Sequence, residues 1–564
     1  MTASGTFVHD AMTRWRLTFV VVLAVLFGLS IGCLYPYGDQ NQYLLLGLRL
    51  KDPGFIKGDW FTWQTPHHHK AFGYLIWLLT FLGPLPWVCY VAHLIVSAAF
   101  ALGVWLLIAH FYERPALPYA ISLVLVSILA RKSILSARLL QECFVPANIS
   151  SALLVLGVAA LLYERFVVAG VLFGATSLFH GNYLFVLPLA VGPVLFVMRK
   201  RISRLDLVKV ILPFAILSFP VAQVAFSQFM FEEGGFQNKS VLFAVRSPHH
   251  YLPLTWSKWK YLHFLGLVAL GFVGVKIRRP EKGNVLAARA LLLSMVAAIL
   301  AALALTSVVF VPLVAAIYAF RLAPFVAVAA LIAAAGGFAN LLEPETQKRT
   351  TPAWTLFASA WAMMLMGDWV RGKDCSPLMS FLLILFLGSY VACSSRPRIL
   401  AQPADRLPKI MTLAMLGVLA FVAVRGVKML NLDCGLGSQR GGLCSWISSN
   451  TPEDAVFIVP PQLEGFRIAA RRAIVVDWKC FSMRARDARE WLRRMTLVCG
   501  EHHIESPEEA ERGYRDMNKT RAQRLVREFD AHWLLMENSR CDPAALNGLK
   551  KQYSDSRYTV YYVD

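Results

Sequence analysis

The sequence predicts a mainly α-helical, polytopic bundle of transmembrane helices, followed by a water-soluble α/β domain. The first observation is composition: 57% of the 564 residues are hydrophobic, 16% are charged, and the mean hydropathy is +0.52. Soluble domains usually contain about 45–50% apolar and about 25% charged residues. The second observation is order, because apolar runs fill residues 1–426 whereas residues 427–564 are polar. We therefore expect a transmembrane domain at 1–426 and a soluble domain at 427–564.

The number of spans follows from the lengths of the apolar runs. A membrane-spanning helix needs about 20 apolar residues, so the sequence predicts about thirteen spans. The spans are expected at 17–36, 85–110, 117–130, 147–163, 166–180, 182–198, 208–229, 259–277, 284–306, 323–341, 353–368, 378–393 and 409–424. The shorter run 70–83 fits a helix in the membrane interface, and the run 307–320 is similarly short. The first run is too long for the core of a signal peptide, which predicts an uncleaved first span.

The basic residues predict the orientation in the membrane. A formal net charge of +21 would suit a nucleic-acid-binding protein, but the lysines and arginines form short clusters between apolar runs. These clusters lie at 14–16, 199–204, 276–282, 348–349 and 396–398. With the predicted spans, every cluster faces the cytoplasm, as the positive-inside rule requires. The segments expected on the other face are 37–84, 131–146, 231–258, 369–377 and the soluble domain. This pattern predicts a multi-pass protein of the bacterial cytoplasmic membrane, with no nucleic acid as partner.

The soluble domain shows alternating strand and helix patterns. Apolar runs at 455–461 and 473–478 predict buried strands, and 487–495 and 506–533 predict helices. Ser506 and Glu509 have the spacing of a capping box at the start of the second helix. Further strands are expected at 532–537 and 558–563. If this domain faces an oxidising compartment, one or two disulfides are expected among Cys434, Cys444, Cys480, Cys499 and Cys541.

The loop at 37–84, after the first span, carries the residues that suggest chemistry. Asp39 follows the first span directly, where a carboxylate is not needed for insertion and costs free energy to desolvate. Asp59 stands between Gly58 and Trp60, and His67, His68 and His69 precede the interfacial run.

This layout resembles the GT-C superfamily of polytopic membrane glycosyltransferases, which includes protein O-mannosyltransferases, lipid A aminoarabinose transferases and oligosaccharyltransferases. The matching features are Gly38–Asp39 with Tyr43 shortly after, the interfacial stretch 70–83 and the terminal soluble domain. Residues 451–479, TPEDAVFIVPPQLEGFRIAARRAIVVDWK, are also similar to uncharacterised bacterial relatives of that superfamily. The resemblance implies a polyprenyl-phosphate sugar as donor. It also implies that Asp39 acts as general base toward the acceptor or as a metal ligand. Gln40 follows Asp39, so the pair of adjacent acidic residues that is frequent in the family is absent.

Sugar transfer from a lipid phosphate needs a base for the acceptor and cations for the leaving phosphate. Asp39 and Asp59 are the candidate catalytic carboxylates, although Asp59 could instead cap a turn. Arginine binds phosphate through its planar guanidinium, which makes arginines in the outside loops the candidate donor-phosphate ligands. Those arginines are Arg138, Arg246 and Arg321. The candidate substrate-binding residues are Glu142, His180, His249 and His250.

Other interpretations of these residues stay open at this point. Arg138 and Glu142 are four residues apart and could form one ion pair, while Arg321 could reach lipid head groups. His180 could bond only a backbone carbonyl. His67, His68 and His69 could form a solvated interfacial patch or contribute to a divalent metal site, so no cofactor follows from the sequence with certainty.

The sequence therefore predicts a membrane glycosyltransferase at the outer face of the cytoplasmic membrane. It would transfer a sugar from a polyprenyl-phosphate donor to a lipid, glycan or protein acceptor. The alternative is a transporter or flippase of a lipid-linked or polar substrate. Transporters usually show internal repeats and charged or broken helices at the bilayer midplane, and neither is evident here. A non-catalytic scaffold, the third class, would be expected to have a featureless first loop.

Overall fold

The computed structural model describes residues 14–129, 132–231, 241–278, 280, 282–341, 406–432, 438–500, 504–540 and 542–564. The spans expected at 353–368 and 378–393, the loop 369–377 and the basic clusters at 348–349 and 396–398 lie outside these residues. So do Cys434 and Cys541.

The described part of residues 1–426 is helical, as predicted. Each predicted span within it contains a helix. These helices are α1 (Arg14–Ile31), α6 (Leu85–Phe111), α7 (Ala116–Leu129), α8 (Pro146–Leu162), α9 (Phe166–Phe179), α10 (Tyr183–Met198), α11 (Arg204–Phe231), α13 (Lys258–Ile277), α14 (Val285–Ser307), α16 (Ala323–Leu341) and α17 (Arg406–Lys428). Among the described residues, 6 helical segments are long and apolar enough to cross a membrane. The outward side of α11 carries exposed Ile211, Ile216 and Phe219, a surface suited to lipid.

Short elements lie between these helices at one end of the bundle, which we call the loop face. They comprise α2 (Gln40–Tyr43), α3 (Leu45–Lys51), α4 (Trp60–Gln64), α5 (Lys70–Leu79), β1 (Ser133–Ile134), β2 (Ala137–Arg138), α12 (Pro248–Tyr251) and α15 (Pro312–Ile317), with a π-helical turn at Val241–Arg246 and 3₁₀ turns at Pro253–Thr255 and Ala319–Leu322. The stretch expected at 70–83 thus contains a ten-residue helix. The stretch 307–320 is broken into short turns.

Small residues allow close packing between α13 and α16. A Cβ placed on Gly274 would come within 2.3 Å of the Ala333 carbonyl oxygen, and one on Gly271 within 2.6 Å of the Ala330 Cα. Such close approach of two backbones is a common way for helices to associate in lipid, where no hydrophobic effect drives them together.

The first and last described helices of the bundle end beside each other. Leu34 and Asn431 form a parallel bridge in which the Tyr35 amide donates to the Asn431 carbonyl at 2.8 Å. The Asn431 amide donates in turn to the Cys33 carbonyl at 3.1 Å. The chain therefore leaves the bundle at the loop face, next to the start of the first loop.

The C-terminal part is an α/β domain, as predicted. Its sheet has the order β4-β3-β5-β7-β6, with parallel β3, β4 and β5 and antiparallel β6 and β7. The strands are β3 (Val456–Ile458), β4 (Ala473–Ile474), β5 (Trp533–Glu537), β6 (Lys550–Ser554) and β7 (Tyr558–Tyr562). The helices are α18 (Ser438–Asn450), α19 (Phe466–Ala469), α20 (Ala485–Cys499), α21 (Pro507–Arg515) and α22 (Lys519–Phe529). Sequence patterns missed β6, whose side chains are mostly exposed.

The single helix expected at 506–533 is two helices. The predicted helix is interrupted at Asn518. The Asn518 side chain accepts a hydrogen bond from the Arg521 amide and so caps the start of α22. The Ser506 cap is present, since its hydroxyl accepts from the Glu509 amide at 3.2 Å. Cys480 and Cys499 are buried free thiols.

The soluble domain packs directly on the first loop. One hydrophobic cluster contains Phe55 and Trp60 from the loop together with Trp491 and Met495 from α20. The Arg494 guanidinium also lies 4.7 Å from the centre of the Trp60 ring. Because this core is shared, the loop and the domain form one structural unit above the bundle.

Candidate functional site

Asp39 lies at the junction of the bundle and the soluble domain. One of its carboxylate oxygens contacts the Lys479 Nζ at 2.8 Å, and the other accepts from the Gln141 Nε2 at 3.2 Å. The Asp39 and Lys479 side chains are 33% and 28% exposed, so a ligand can reach both. Asp39 precedes α2 but does not cap it, which leaves its carboxylate free for these contacts.

Segment 38–42, which carries Asp39, is held by the soluble domain. The Gly38 amide donates to Glu464 at 2.9 Å, and the Asn41 side-chain oxygen accepts from the Gly465 amide at 2.6 Å. The Gln42 side chain donates to the Phe481 carbonyl at 3.2 Å. These contacts fix the backbone on both sides of Asp39.

The charges around Asp39 keep its carboxyl group ionised. Burial alone would raise its pKa. The Lys479 ammonium and the hydrogen bonds from Lys479 and Gln141 outweigh burial and hold the pKa of Asp39 well below 3.8. The pKa of Lys479 is raised above 10.5, because the attraction of Asp39 exceeds the cost of burial.

Arg246 supplies a second cation beside the same carboxylate. Its guanidinium donates to the Lys479 carbonyl at 3.2 Å, while its buried Nε has no hydrogen-bond partner among the described residues. Burial lowers the pKa of Arg246 from 12.5, and the Asp39 charge opposes that shift. An arginine remains protonated under such conditions, so Arg246 is a cation with spare donor capacity.

A third cation, Arg321, lies across Tyr43 from this group. The Tyr43 ring is partly buried. Burial and the Asp39 charge raise the pKa of its phenol, and the charges of Arg321 and Arg246 oppose that rise. The Arg321 guanidinium contacts the His180 Nε2 at 3.0 Å and lies 5.3 Å from the Tyr318 ring centre. Its Nε is also buried and lacks a partner among the described residues.

Two histidines line the Arg321 side of the site. The His69 Nδ1 contacts the Phe179 carbonyl oxygen at 2.8 Å, and its ring centre lies 4.8 Å from both Tyr43 and His180. Burial lowers the pKa of His69 to about 4, so this ring is neutral near pH 7. His180 is buried, and its Nδ1 has no partner in the described structure. Neutral rings here add hydrogen-bonding groups without adding charge.

His250 and Tyr318 form a neighbouring polar network. The Tyr318 hydroxyl lies 3.0 Å from the His250 Nδ1 and 3.0 Å from the Ser136 hydroxyl. Tyr318 has a φ of 57° and His69 a φ of 53°, left-handed conformations that cost free energy for such side chains. Backbone strain of this kind is common at functional sites. His249 is more exposed than His250. Partial burial of its ring, and then the positive charge of Arg246, lower the pKa of His249 to about 4.

Asp59 is structural, which corrects its expected catalytic role. Its side chain is fully buried, and one oxygen caps α4 by accepting from the Thr62 amide at 2.8 Å. The other oxygen contacts the Arg467 Nε at 2.7 Å and accepts from the Ile474 amide at 3.2 Å. Arg467 also contacts Asp477 at 2.6 Å. With its oxygens used and no exposure, Asp59 instead joins the first loop to the soluble domain.

The three consecutive histidines do not converge on one point. The His67 Nε2 contacts the Thr62 carbonyl at 2.9 Å, and His68 accepts from the Met483 amide at 2.9 Å. His69 points toward Phe179. Within the described residues, no group of three or more His, Cys, Asp or Glu side chains could hold a metal ion. The metal hypothesis for His67, His68 and His69 therefore finds no matching arrangement of ligands.

Arg138 and Glu142 form the ion pair that their spacing suggested, with 3.8 Å between the charged atoms. Their charges act on Tyr37, the residue two positions before Asp39. The two residues thus lie at the edge of the site, and a role in substrate binding stays a prediction.

An apolar cavity of about 190 Å³ lies inside the bundle among α6, α8, α10, α14 and α16. At one end its lining includes Leu322, the residue after Arg321, and Phe325. At the other end the lining includes Tyr112, Val285 and Arg289, so the cavity extends toward the end of the bundle opposite the loop face.

Sequence reasoning missed Lys479, Gln141 and Glu464, which contact Asp39 or its segment. Lys479 ends the segment AIVVDWK, at the position where a chain leaves a parallel strand. Ligand-binding residues in α/β sheets often occupy such positions, and that was the available signal.

Comparisons with known proteins place the chain as follows. Residues 439–498 match the model of a family described as a domain of unknown function, DUF6798. No curated protein matches the chain. The chain is similar to the crystal structure of ArnT from Cupriavidus metallidurans bound to undecaprenyl phosphate, with 13% identity, a TM-score of 0.45, and coverage of 98% of this chain and 99% of that one. Arabinofuranosyltransferase AftD from Mycobacteria is 12% identical, with a TM-score of 0.46 over 98% of this chain. The chain spans 40% of AftD.

Proposed function

We propose that the protein is a membrane glycosyltransferase that uses a polyprenyl-phosphate sugar as donor. The observation that carries this proposal is the pairing of a reachable carboxylate, Asp39, with two arginines whose buried Nε atoms lack partners in the described structure. The resemblance of the first loop to GT-C enzymes points to the same reaction.

The excess of positive charge near Asp39 favours a phosphate as ligand. Arg246, Arg321 and Lys479 supply three cations near Asp39. Asp477 and Glu464 also act on Arg246 and Lys479, but no described carboxylate contacts either arginine within 4.0 Å. A partly buried cation without a counter-ion is costly, so such residues at a membrane surface favour an anionic ligand. A guanidinium can bind two phosphate oxygens at once.

The apolar cavity inside the bundle has a mainly aliphatic and aromatic lining, which also includes Arg289. Leu322, which follows Arg321 in the chain, is one of its lining residues. In this proposal the head group of a lipid phosphate binds at Arg246 and Arg321, and its hydrocarbon chain extends past Leu322 into the cavity.

The reaction follows from these positions. An acceptor hydroxyl oxygen bonds to the anomeric carbon of the sugar, and the bond from that carbon to the phosphate oxygen breaks. The electron pair of the broken bond leaves with the phosphate, whose negative charge Arg246 and Arg321 stabilise. Asp39 takes the proton of the acceptor hydroxyl. The products are the glycosylated acceptor and the polyprenyl phosphate.

We further propose that the loop face lies on the extracytoplasmic side of a bacterial cytoplasmic membrane. The cluster 199–204 and the described residues of the cluster 276–282 follow helices that run from the loop face to the opposite end of the bundle. That end is marked by the hydrogen bond from the Asn284 amide to the His110 Nε2 at 2.9 Å. Such clusters face the cytoplasm under the positive-inside rule.

The test is binding of undecaprenyl phosphate to the full-length protein in nanodiscs. We expect Arg246→Gln and Arg321→Gln each to weaken binding roughly 10- to 100-fold, because a hydrogen bond to a charged group contributes about 1.5–3 kcal/mol. Arg199→Gln is the matched control, since Arg199 is exposed and donates only to the Phe196 carbonyl. Equal affinity for the wild type, both site variants and the control would contradict the proposed phosphate site.

A further inference from the structure

The cation in contact with Asp39 comes from the soluble domain. Lys479 follows β4, and its ammonium lies 2.8 Å from the Asp39 carboxylate. The two residues are 440 positions apart in the sequence (479 − 39). Among the described residues, Lys479 is the cation that forms an ion pair with Asp39, so the site is incomplete without the domain.

The backbone around Lys479 is fixed. The Trp478 amide donates to the Pro461 carbonyl at 2.8 Å, and the Cys480 amide donates to the Asp477 carboxylate at 2.8 Å. The Lys479 carbonyl accepts from Arg246 at 3.2 Å. Because the backbone is held while the side chain is partly exposed, the four-carbon stem can move its ammonium without moving the domain.

We infer that Lys479 changes partner when the donor binds: its ammonium leaves Asp39 and bonds the donor phosphate, which frees Asp39 to act as base. This inference rests on the proposed function. The reason is geometric, since Arg246 bonds the Lys479 carbonyl and a phosphate held by Arg246 lies within reach of the Lys479 side chain. The donor phosphate is a diester with one negative charge, and its two free oxygens can accept from the Arg246 guanidinium and the Lys479 ammonium together.

The change of partner alters the basicity of Asp39. In the free protein, Lys479 holds the pKa of Asp39 low, so the carboxylate is a weak base. The other groups that face Asp39 are Gln141, Arg246, Tyr43, Cys143, His69, His249 and His250. None of the three histidines is charged near pH 7, because burial lowers their pKa values. Once Lys479 leaves, burial and the phosphate charge raise the pKa of Asp39.

Donor binding would therefore activate the base. An acceptor that bound first would contact a carboxylate with a low pKa, which is a weak base. We therefore expect the donor to bind before the acceptor. Lys479 is a positioning residue toward Asp39 and a ligand toward the phosphate.

The test combines affinity with proton uptake. Undecaprenyl phosphate is titrated into full-length protein in nanodiscs at pH 5, by calorimetry in two buffers of different ionisation enthalpy. The variants are Asp39→Asn, Lys479→Met and Lys479→Arg. Lys550→Met is the matched control, because Lys550 is an exposed lysine of the same domain that pairs only with Asp564.

The inference predicts three results. The wild type takes up more protons on binding than Asp39→Asn does, since only the wild type has a carboxyl group whose pKa rises. Lys479→Met binds at least ten-fold more weakly, and its proton uptake falls toward that of Asp39→Asn. Lys479→Arg keeps most of the affinity, and Lys550→Met matches the wild type.

Two outcomes overturn the inference, and they are distinguishable. If the wild type binds but Lys479→Met has the same affinity and proton uptake, Lys479 does not change partner and the proposed function still stands. If the wild type itself does not bind undecaprenyl phosphate, the proposed function fails and the inference falls with it.

Discussion

Replacement of Arg467 by Met should separate the soluble domain from the first loop. Arg467 bridges Asp59 and Asp477 at 2.7 and 2.6 Å, with side-chain exposures of 5%, 0% and 6%. Its removal leaves two buried carboxylates without a counter-ion. Breaking a buried pair in this way costs about 3–5 kcal/mol. That is a change of roughly two orders of magnitude or more in the unfolding equilibrium.

The assay is urea unfolding of the protein in mild detergent, followed by tryptophan fluorescence. Trp491 is a suitable probe because it is fully buried and donates to the Asp477 carbonyl at 2.9 Å. With a typical slope of about 1–3 kcal/mol per molar urea, Arg467→Met should lower the midpoint by roughly 1–5 M.

The matched control is Arg493→Met. Arg493 also bridges two carboxylates, Glu490 and Glu528, but all three side chains are substantially exposed. Surface pairs contribute only about 0.2–1 kcal/mol. If Arg467→Met shifted the midpoint no more than Arg493→Met, the argument that a buried bridge joins the loop to the domain would be wrong.

The remaining predictions concern packing, capping and the apolar cavity. Gly274→Leu should disrupt the contact with Ala333 and lower the melting temperature, whereas Gly417→Leu, with no atom within 4 Å of its Cβ position, should not. Ser506→Ala should cost about 1 kcal/mol in urea unfolding, because the Glu509 amide loses its cap. Ala329→Phe should fill part of the apolar cavity and weaken undecaprenyl phosphate binding without changing the melting temperature; unchanged binding would place the lipid chain elsewhere.

The pattern of apolar runs was sufficient to predict the bundle. Long runs specify helices because every backbone polar group must be bonded within the membrane. The C-terminal strands at 456–458 and 533–537 were predictable for a different reason, since both are short apolar runs that the fold buries. Strand β6 was not predictable, because it lies at the sheet edge and reads KKQYS.

The site was only half predictable. Asp39 and Arg321 stand out because each is a charge beside an apolar run. Lys479 does not, since its position after a parallel strand is a weak signal, and only the fold brings it to Asp39. The same holds for Asp59, whose Arg467 partner is 408 residues away and makes it structural.

The central claim is tested most directly by turnover of donor. The full-length protein in nanodiscs is incubated with undecaprenyl-phosphate sugars carrying pentose or hexose head groups and a membrane extract as acceptor source, and released undecaprenyl phosphate is measured by mass spectrometry. We predict release by the wild type and, at equal lipid binding, at least a hundred-fold slower release by Asp39→Asn. Equal release by both proteins would contradict the role of Asp39. Binding without release by either protein would instead favour a lipid transporter.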